Sequence, residues 1–510
     1  MRNFYNIPNY WIWVKHHKIA KINAKNSLEN LNDNDKVTFL PMSLVEVISG
    51  KYSLSETREL GKVKKGYTAF SNGDILFAKI TPTMENGKIA IMNNLLNGVG
   101  YGSTEFHVSK VYSGIKREYL FYYFTQSLFR NTAKKFMTGS AGQLRVPTDY
   151  FKNVEIPLSP FLEQKAIVAK IEQLFSELDN GIQNLKTAQQ KLKIYGQAVL
   201  KKAFEGELTQ EWREKQTNLP TADELLEKIK EEREKHYQKQ LKEWEESVKK
   251  WESDGKNGKK PSKPRKKELG DIFKKDNLPN GWIYCPIKNL GLIATGATPL
   301  RSNSDYWTNG TIPWIKSGTL NSTFIKKADE FTTIKALEET NIKLFPKHTL
   351  VIALYGEGKT RGLCSELLIE TTTNQAIAGI IQTGLEEKTR AYLKHFLLKN
   401  YQNVRRKSSG GVQPNLNSDI VKNTLVPLCS LEEQTQIVQE IESRLSVCDN
   451  IEATITDALK KAEALRQSIL KKAFEGKLLT AKELDKIKKN PEYESVEKLL
   501  QRIKKEKVNG

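Results

Sequence analysis

The sequence predicts an α+β chain of mixed type: two globular α/β domains separated by two long antiparallel coiled-coil helices, related by a pseudo-two-fold axis. Three observations predict it. Leu200-Lys201-Lys202-Ala203-Phe204-Glu205-Gly206 returns letter for letter, 270 residues later, as Leu470-Lys471-Lys472-Ala473-Phe474-Glu475-Gly476. The same offset aligns, without a gap, Pro157 with Pro427, Glu163-Gln164 with Glu433-Gln434, Ile167-Val168 with Ile437-Val438, Ile171-Glu172 with Ile441-Glu442 and Asp179-Asn180 with Asp449-Asn450. After Pro160 and Pro427 both aligned segments carry apolar residues at three- and four-residue steps with no further proline, the pattern of a long amphipathic helix.

Residues 1–157 read as a first globule. Short β-type runs (Val37 to Leu40, Asp74 to Ala78, Thr104 to Val108) alternate with Gly, Asn and Pro turns, and one helix is expected from Lys116 to about Phe136. The doublet His16-His17 reads as a surface pair. Residues 158–206 hold the first long helix, striped by Ile167, Ile171, Leu174, Leu178, Ile182, Leu185, Leu192 and Val199 and stopped by Gly206. Residues 207–275 form a charged spacer: a helix from Ala222 to about Trp251, then a basic stretch (Lys256, Lys259, Lys260, Lys263, Arg265, Lys266, Lys267) that reads as a mobile loop. Residues 276–427 are a second globule, whose opening Leu278-Pro279-Asn280-Gly281-Trp282-Ile283 echoes Ile7-Pro8-Asn9-Tyr10-Trp11-Ile12. Residues 428–476 hold the second long helix, striped by Ile437, Ile441, Leu445, Cys448, Ile451, Ile455, Leu459, Ala462, Leu465 and Ile469. Residues 477–510 are a helical tail in which Leu499-Leu500-Gln501-Arg502-Ile503 resembles Leu225-Leu226-Glu227-Lys228-Ile229. A helix of about 43 residues is roughly 65 Å long. Two such helices, each needing a partner, pack most simply on each other.

Bulk properties narrow the function. Charged residues make up 28% of the 510, and the net charge is +21. That balance favours a polyanion, nucleic acid before an anionic membrane, although a Lys-rich composition from an AT-rich genome gives the same charge. The cysteines Cys285, Cys364, Cys429 and Cys448 form no CxxC pair, and no secretory signal is visible. This points to the cytoplasm, without a disulfide framework or structural zinc. No apolar run approaches the roughly 20 residues of a membrane span.

The motifs are more specific. The first half carries Gly73-Asp74-Ile75-Leu76-Phe77-Ala78-Lys79-Ile80-Thr81-Pro82, Glu85-Asn86-Gly87-Lys88, Gly102-Ser103-Thr104-Glu105-Phe106-His107-Val108 and Gly139-Ser140-Ala141-Gly142-Gln143-Leu144-Arg145-Val146-Pro147. The second carries Ile312-Pro313-Trp314-Ile315-Lys316-Ser317-Gly318, Thr371-Thr372-Thr373-Asn374-Gln375-Ala376 and Gly410-Gly411-Val412-Gln413-Pro414. With the boundaries Pro157-Leu158…Glu163-Gln164 and Pro427-Leu428…Glu433-Gln434, the chain resembles the specificity subunit of a type I restriction–modification system from about residue 7 to 476. The two halves resemble different subclasses of that family's target-recognition domains. The resemblance implies two target-recognition domains, each reading one part of a split double-stranded DNA site, and spacer helices that set the unread gap. It implies two DNA methyltransferase (modification) subunits that hold S-adenosylmethionine and methylate adenine, and restriction/translocase subunits that use ATP and Mg to cut. On this chain no cofactor, no metal and no catalytic residue are expected.

The residues themselves point away from catalysis. Ala353-Leu354-Tyr355-Gly356-Glu357-Gly358-Lys359-Thr360 fits a loose phosphate-loop pattern, but a phosphate loop opens into a helix, and β-type Leu367-Leu368-Ile369 comes next instead. There is no Asn-Pro-Pro-aromatic tetrapeptide, no Gly-rich cofactor loop after an early strand, and no paired Asp beside Glu357 and Lys359 to hold Mg. DNA readout calls for Arg and Lys on guanine, Asn and Gln on adenine, and hydroxyls or Lys on phosphate. The candidates are Lys79, Thr81, Asn86, Lys88, Ser103, Thr104, Ser140, Gln143 and Arg145 in the first globule, and Lys316, Ser317, Lys359, Arg361, Asn374, Gln375, Ser409 and Gln413 in the second. Arg405-Arg406-Lys407 is a further basic cluster. Glu105 is expected to hold a loop through backbone N–H groups. The competing reading is a non-catalytic coiled-coil adaptor with a basic surface and no sequence preference.

Overall fold

The structure, a computed structural model, describes residues 5–25, 31–140, 142–256, 260–264, 266, 269–275, 277–355, 360–382, 387–407 and 416–509, and for 402–407 and 509 the backbone alone. The chain folds as two compact units: residues 1–187 with 454–510, and residues 188–453.

In the first unit two four-stranded sheets carry the globule. One has the order Ala20–Ile22, Phe106–Val111, Ile75–Ala78, Ile89–Ile91, all antiparallel. The other runs Thr57–Glu59, Lys36–Leu40, Val99–Gly102, Thr68–Ser71, with its central pair parallel. In the second unit a five-stranded sheet (Leu292–Thr295, Ile377–Ile381, Leu350–Ala353, Cys364–Leu367, Phe324–Ile325) lies with a three-stranded one (Glu330–Thr332, Ile312–Ile315, Thr372–Thr373). The long helices are Phe161–Phe204 and Leu431–Phe474.

The two units are closed by the same contacts. Strand Ile12–Lys15 pairs antiparallel with Glu155–Leu158, and Ile283–Pro286 with Leu425–Leu428. The Trp11 indole donates to Glu163 at 2.9 Å, and the Trp282 indole to Glu433 at 2.8 Å. Gln164 and Gln434 donate to the carbonyls of Ser159 and Cys429 at 2.8 and 2.9 Å. The Tyr119 and Tyr392 hydroxyls donate to the carbonyls of Pro157 and Pro427 at 2.6 and 2.5 Å. Each of these groups is taken out of water, where a polar atom without a partner is costly. The Pro and Glu-Gln positions that align in sequence are therefore the ones that make these bonds.

The recurring heptapeptide has an equally specific task. In the first unit Phe474, buried, packs on Tyr119 and Tyr123 with ring centroids 4.9 and 5.2 Å away. In the second, Phe204 packs on Tyr392 and Phe396 at 5.0 and 5.4 Å. Gly476 (φ +68°) and Gly206 (φ +78°) then turn the chain against Pro8 and Pro279, where a Cβ would stand 2.5 and 2.3 Å from the proline ring. Only glycine meets both demands. Beyond each glycine the chain continues into the same core: Val496, Leu499 and Ile503 of tail helix Val496–Asn509 in the first unit, Ala222, Leu226 and Ile229 of helix Ala222–Ser253 in the second.

Within each unit, parts of the two long helices meet. In the first, Arg466 pairs with Asp179 and lies 4.5 Å over Phe175; Lys170 reaches Glu483 of the tail helix Ala481–Lys488 at 3.3 Å. In the other unit Gln189 donates to Glu452 at 3.3 Å and Leu445 lies beside Gly196. In the second unit rising numbers on Phe161–Phe204 meet falling numbers on Leu431–Phe474.

Four local expectations change. The helix after Lys116 is two helices, Arg117–Thr125 and Ser127–Lys134, broken at Gln126, whose buried amide accepts the Tyr5 hydroxyl at 2.6 Å and donates to the Tyr123 carbonyl at 3.1 Å. His16 is not a surface residue but fully buried, edge-on to Phe151, with Nδ1 donating to the Phe151 carbonyl at 3.1 Å. Ile451 and Leu465 are exposed (43% and 51%), because a stripe that drifts around a helix is only partly covered by one facing helix. The described part of the basic stretch is held along helix Ala222–Ser253: Lys263 lies 5.5 Å over Trp244, Lys266 pairs with Glu234 at 2.7 Å, and the Trp244 indole donates to Pro261 at 3.0 Å.

Phe474→Ala is expected to destabilise the first unit by about 3–5 kcal/mol, and Phe204→Ala the second, each leaving the other unit intact. Urea unfolding, with proteolytic mapping of the unit that opens first, checks this. Equal opening of both units in either variant would contradict it.

Candidate nucleic-acid interface

In the first unit three loops converge where strands Ile75–Ala78 and Phe106–Val111 end side by side, with Ala78 opposite Phe106. Lys79 leaves one strand and donates its amide to the Glu105 carbonyl at 2.9 Å. The loop from Thr138 to Arg145 closes on itself (Arg145 N to Thr138 O, 2.8 Å) and docks on Thr81, whose amide donates to Leu144 at 2.9 Å. Lys79, Thr81, Ser103, Thr104, Ser140, Gln143 and Arg145 are thus brought together, with Thr104, Ser140 and Gln143 exposed. Asn86 lies on the turn before Ile89–Ile91, and the Lys88 ammonium is tied to the Met42 carbonyl at 2.8 Å.

Arg145 is engaged within the protein. Its Nε and Nη2 meet Glu105 at 2.9 and 2.8 Å, and its Nη1 donates to the Gln143 carbonyl at 3.0 Å. Glu105 accordingly holds the loop through this guanidinium rather than through backbone N–H groups. Arg145 beside it keeps the Glu105 carboxyl below the usual carboxylate range. Burial pulls the Lys79 ammonium below its ordinary value, against the opposing effect of Glu105. Beneath the loops, His107 stacks on Phe151 at 4.8 Å and donates Nε2–H to the Val146 carbonyl at 2.8 Å, and burial lowers its pKa to about 4.

In the second unit the parallel pairing of Ile312–Ile315 with Thr372–Thr373 delivers Lys316-Ser317 and Asn374-Gln375 to the same sheet end. The Asn374 amide donates to Ile315 at 3.0 Å, and Thr298 donates to the Gln375 side chain at 2.6 Å. Lys316 pairs with Glu330 at 2.5 Å. Arg361 lies close by, just before strand Cys364–Leu367: the Gly362 amide donates to the Ala353 carbonyl at 2.8 Å and the Leu354 amide to the Ala376 carbonyl at 2.7 Å, and the chain enters a strand there, not a helix. Lys359, Ser409 and Gln413 lie outside the described residues, as do the side chains of Arg405, Arg406 and Lys407. Two residues missed in the sequence belong to this end: Glu330 and Arg301, which pair at 2.6 Å. The spacing of Trp307 and Trp314, which frame Arg301, was the available signal.

Among the described residues no group of three or more His, Cys, Asp or Glu could hold a metal ion. No helix among them is long and apolar enough to cross a membrane.

The chain thus carries two mixed α/β modules, each followed by a long helix and each with basic and amide side chains at a sheet end. The chain matches the type I restriction modification DNA specificity domain over residues 8–187 and 279–461, and it belongs to that family. The type I restriction enzyme EcoAI specificity subunit of Escherichia coli is 44% identical over 179 residues, 34% of this chain and 30% of that one. The EcoEI specificity subunit, also from Escherichia coli, is 38% identical over 171 residues, 33% and 28% of the two chains. The chain thus spans less than a third of the length of these two relatives. The EcoKI specificity subunit of Escherichia coli strain K12 is 24% identical over 399 residues, 76% of this chain and 71% of that one. Among solved structures, the HsdS subunit from Thermoanaerobacter tengcongensis matches in fold, with 17% identity, 93% and 99% coverage and a TM-score of 0.56. A chain solved for complex assembly and conformational transition of the type I R-M system gives 18%, 93%, 100% and 0.67.

His107 and His16 (pKa lowered to about 3) are both held neutral by burial. The unfolded chain takes up protons on them near the ordinary pKa of about 6.5, so it binds more protons than the folded chain below that pH. The contribution of these two histidines to the first unit's stability is expected to be full above about pH 6.5 and to fall as pH drops toward 4, offset in part by Asp74, whose carboxyl burial raises to about 6. Urea midpoints at about pH 7.5 and 5 test this, with His107→Gln expected to flatten the slope.

Proposed function

We propose that the chain is the non-catalytic specificity subunit of a type I restriction–modification assembly. In this reading residues 1–157 and 276–427 are target-recognition domains that each read one part of a split double-stranded DNA site. The helices in 158–206 and 428–476 form an antiparallel coiled-coil spacer that fixes the gap, 207–275 links the halves, and 477–510 returns to the first domain. Two methyltransferase subunits holding S-adenosylmethionine modify adenine, and restriction/translocase subunits cleave with ATP and Mg. The cytoplasm is the compartment.

Membership of the DNA specificity family over both halves carries the reading. Three features of the chain support it. The net charge of +21 suits a phosphate backbone. The loops gathered at each sheet end supply Lys, Asn, Gln, Ser and Thr, the side chains that read bases and phosphates. The opposed residue order between the long helices in the second unit suits a tandem duplication folded back on itself.

Binding to a duplex carrying the split site is expected to weaken steeply with salt, and replacement of the first domain's loops (79–88, 103–105, 138–146) to change one half-site only. Selection from a duplex pool with both half-sites randomised measures both. Simultaneous change of both half-sites, or no preferred sequence, would overturn the reading.

A further inference from the structure

The sheet end of the second domain holds an arginine in a more demanding setting than any sequence motif marks. Trp307 and Trp314 meet edge to face at 5.2 Å and 87°, and the Arg301 guanidinium lies over both, 3.8 and 4.6 Å from the ring centroids. Glu330, opposite Trp314 in the next strand, takes Arg301 Nη1 on one oxygen at 2.6 Å and Lys316 Nζ on the other at 2.5 Å. The carboxylate side chain is 27% exposed and the two cations 50% each, so the negative charge sits inside and the donors outside. Lys316 first, and then Arg301, hold the Glu330 carboxyl below its usual range, so it is ionised at neutral pH.

Arg145 spends Nε, Nη1 and Nη2 inside the protein, whereas Arg301 spends one N–H on Nη1 and, among the described residues, makes no other hydrogen bond. A guanidinium has five N–H donors in a rigid fork, so Arg301 keeps a parallel pair free. The face over Trp307 and the bond to Glu330 fix the plane of that fork. A fixed, forked donor pair matches two acceptors side by side, as guanine presents with N7 and O6 in the major groove. A phosphate is a poorer match, because Glu330 would place a second negative charge beside it.

We propose that Arg301 reads a guanine in the half-site of the second domain, and that Glu330 is the positioning residue that holds it for the task. The proposal rests on the reading of the chain as a DNA specificity subunit.

The test uses the full-length chain and duplexes in which each base of the preferred split site is varied in turn. Arg301→Lys keeps the charge and loses the fork. It is expected to lower discrimination at one guanine of the second half-site by about tenfold or more, with the first half-site and the salt slope unchanged. Glu330→Gln is expected to lower the same discrimination while strengthening binding to unrelated DNA, whereas mere damage to the domain would weaken both. Undiminished discrimination in Arg301→Lys at every guanine overturns the proposal, as does a loss spread evenly over both half-sites. A wild-type chain that binds DNA without any preferred sequence overturns this inference and the proposed function together.

Discussion

The aromatic seat of the long-helix ends is the contact on which the remaining architecture depends. Phe474 sits between the tyrosines of helix Arg117–Thr125, and Phe204 between Tyr392 and Phe396, so each globule is completed by chain that does not belong to its own sheets. Burying such a ring contributes several kcal/mol, comparable to a sizeable part of a domain's net stability. The lysines of the same heptapeptide face solvent while Ala203, Phe204, Ala473 and Phe474 are buried, which fits helix ends that must dock and stay soluble.

That constraint explains why the helical frame was legible in the sequence and the globules much less so. A docking surface of Phe, Ala and Gly against Pro and Tyr leaves few choices at each position, so the heptapeptide, Glu163-Gln164 and Glu433-Gln434 stand out at one offset. Helix bounds followed closely from the apolar stripe and the terminal glycine, as Phe161–Phe204 and Leu431–Phe474 show. The break at Gln126 was hidden because a buried glutamine satisfied by Tyr5 and Tyr123 is a tertiary event with no local mark. The burial of His16 was hidden for the same reason: a histidine reads as polar until an aromatic floor and a carbonyl acceptor are in place.

At the two sheet ends the loops were legible as loops, from their Gly, Ser and Lys content, but the division of labour within them was not. Arg145 carries the side chain expected of a base reader, yet Glu105 and the Gln143 carbonyl claim its fork. Arg301, which among the described residues commits only Nη1, lies outside the sequence motifs. In both units a carboxylate sits among cations, Glu105 with Arg145 and Glu330 with Arg301 and Lys316. Fixed negative charge of this kind tempers a strongly basic surface and favours placement of individual side chains over bulk attraction to DNA.

Native-state hydrogen exchange of the full-length chain tests the seat of the helix ends most directly. If Phe474 is core to the first unit, amides of residues 469–474 and of helix Arg117–Thr125 open together, with one free energy and one denaturant dependence. Exchange of 469–474 at a much lower free energy than that helix, as a frayed end would show, would contradict the account.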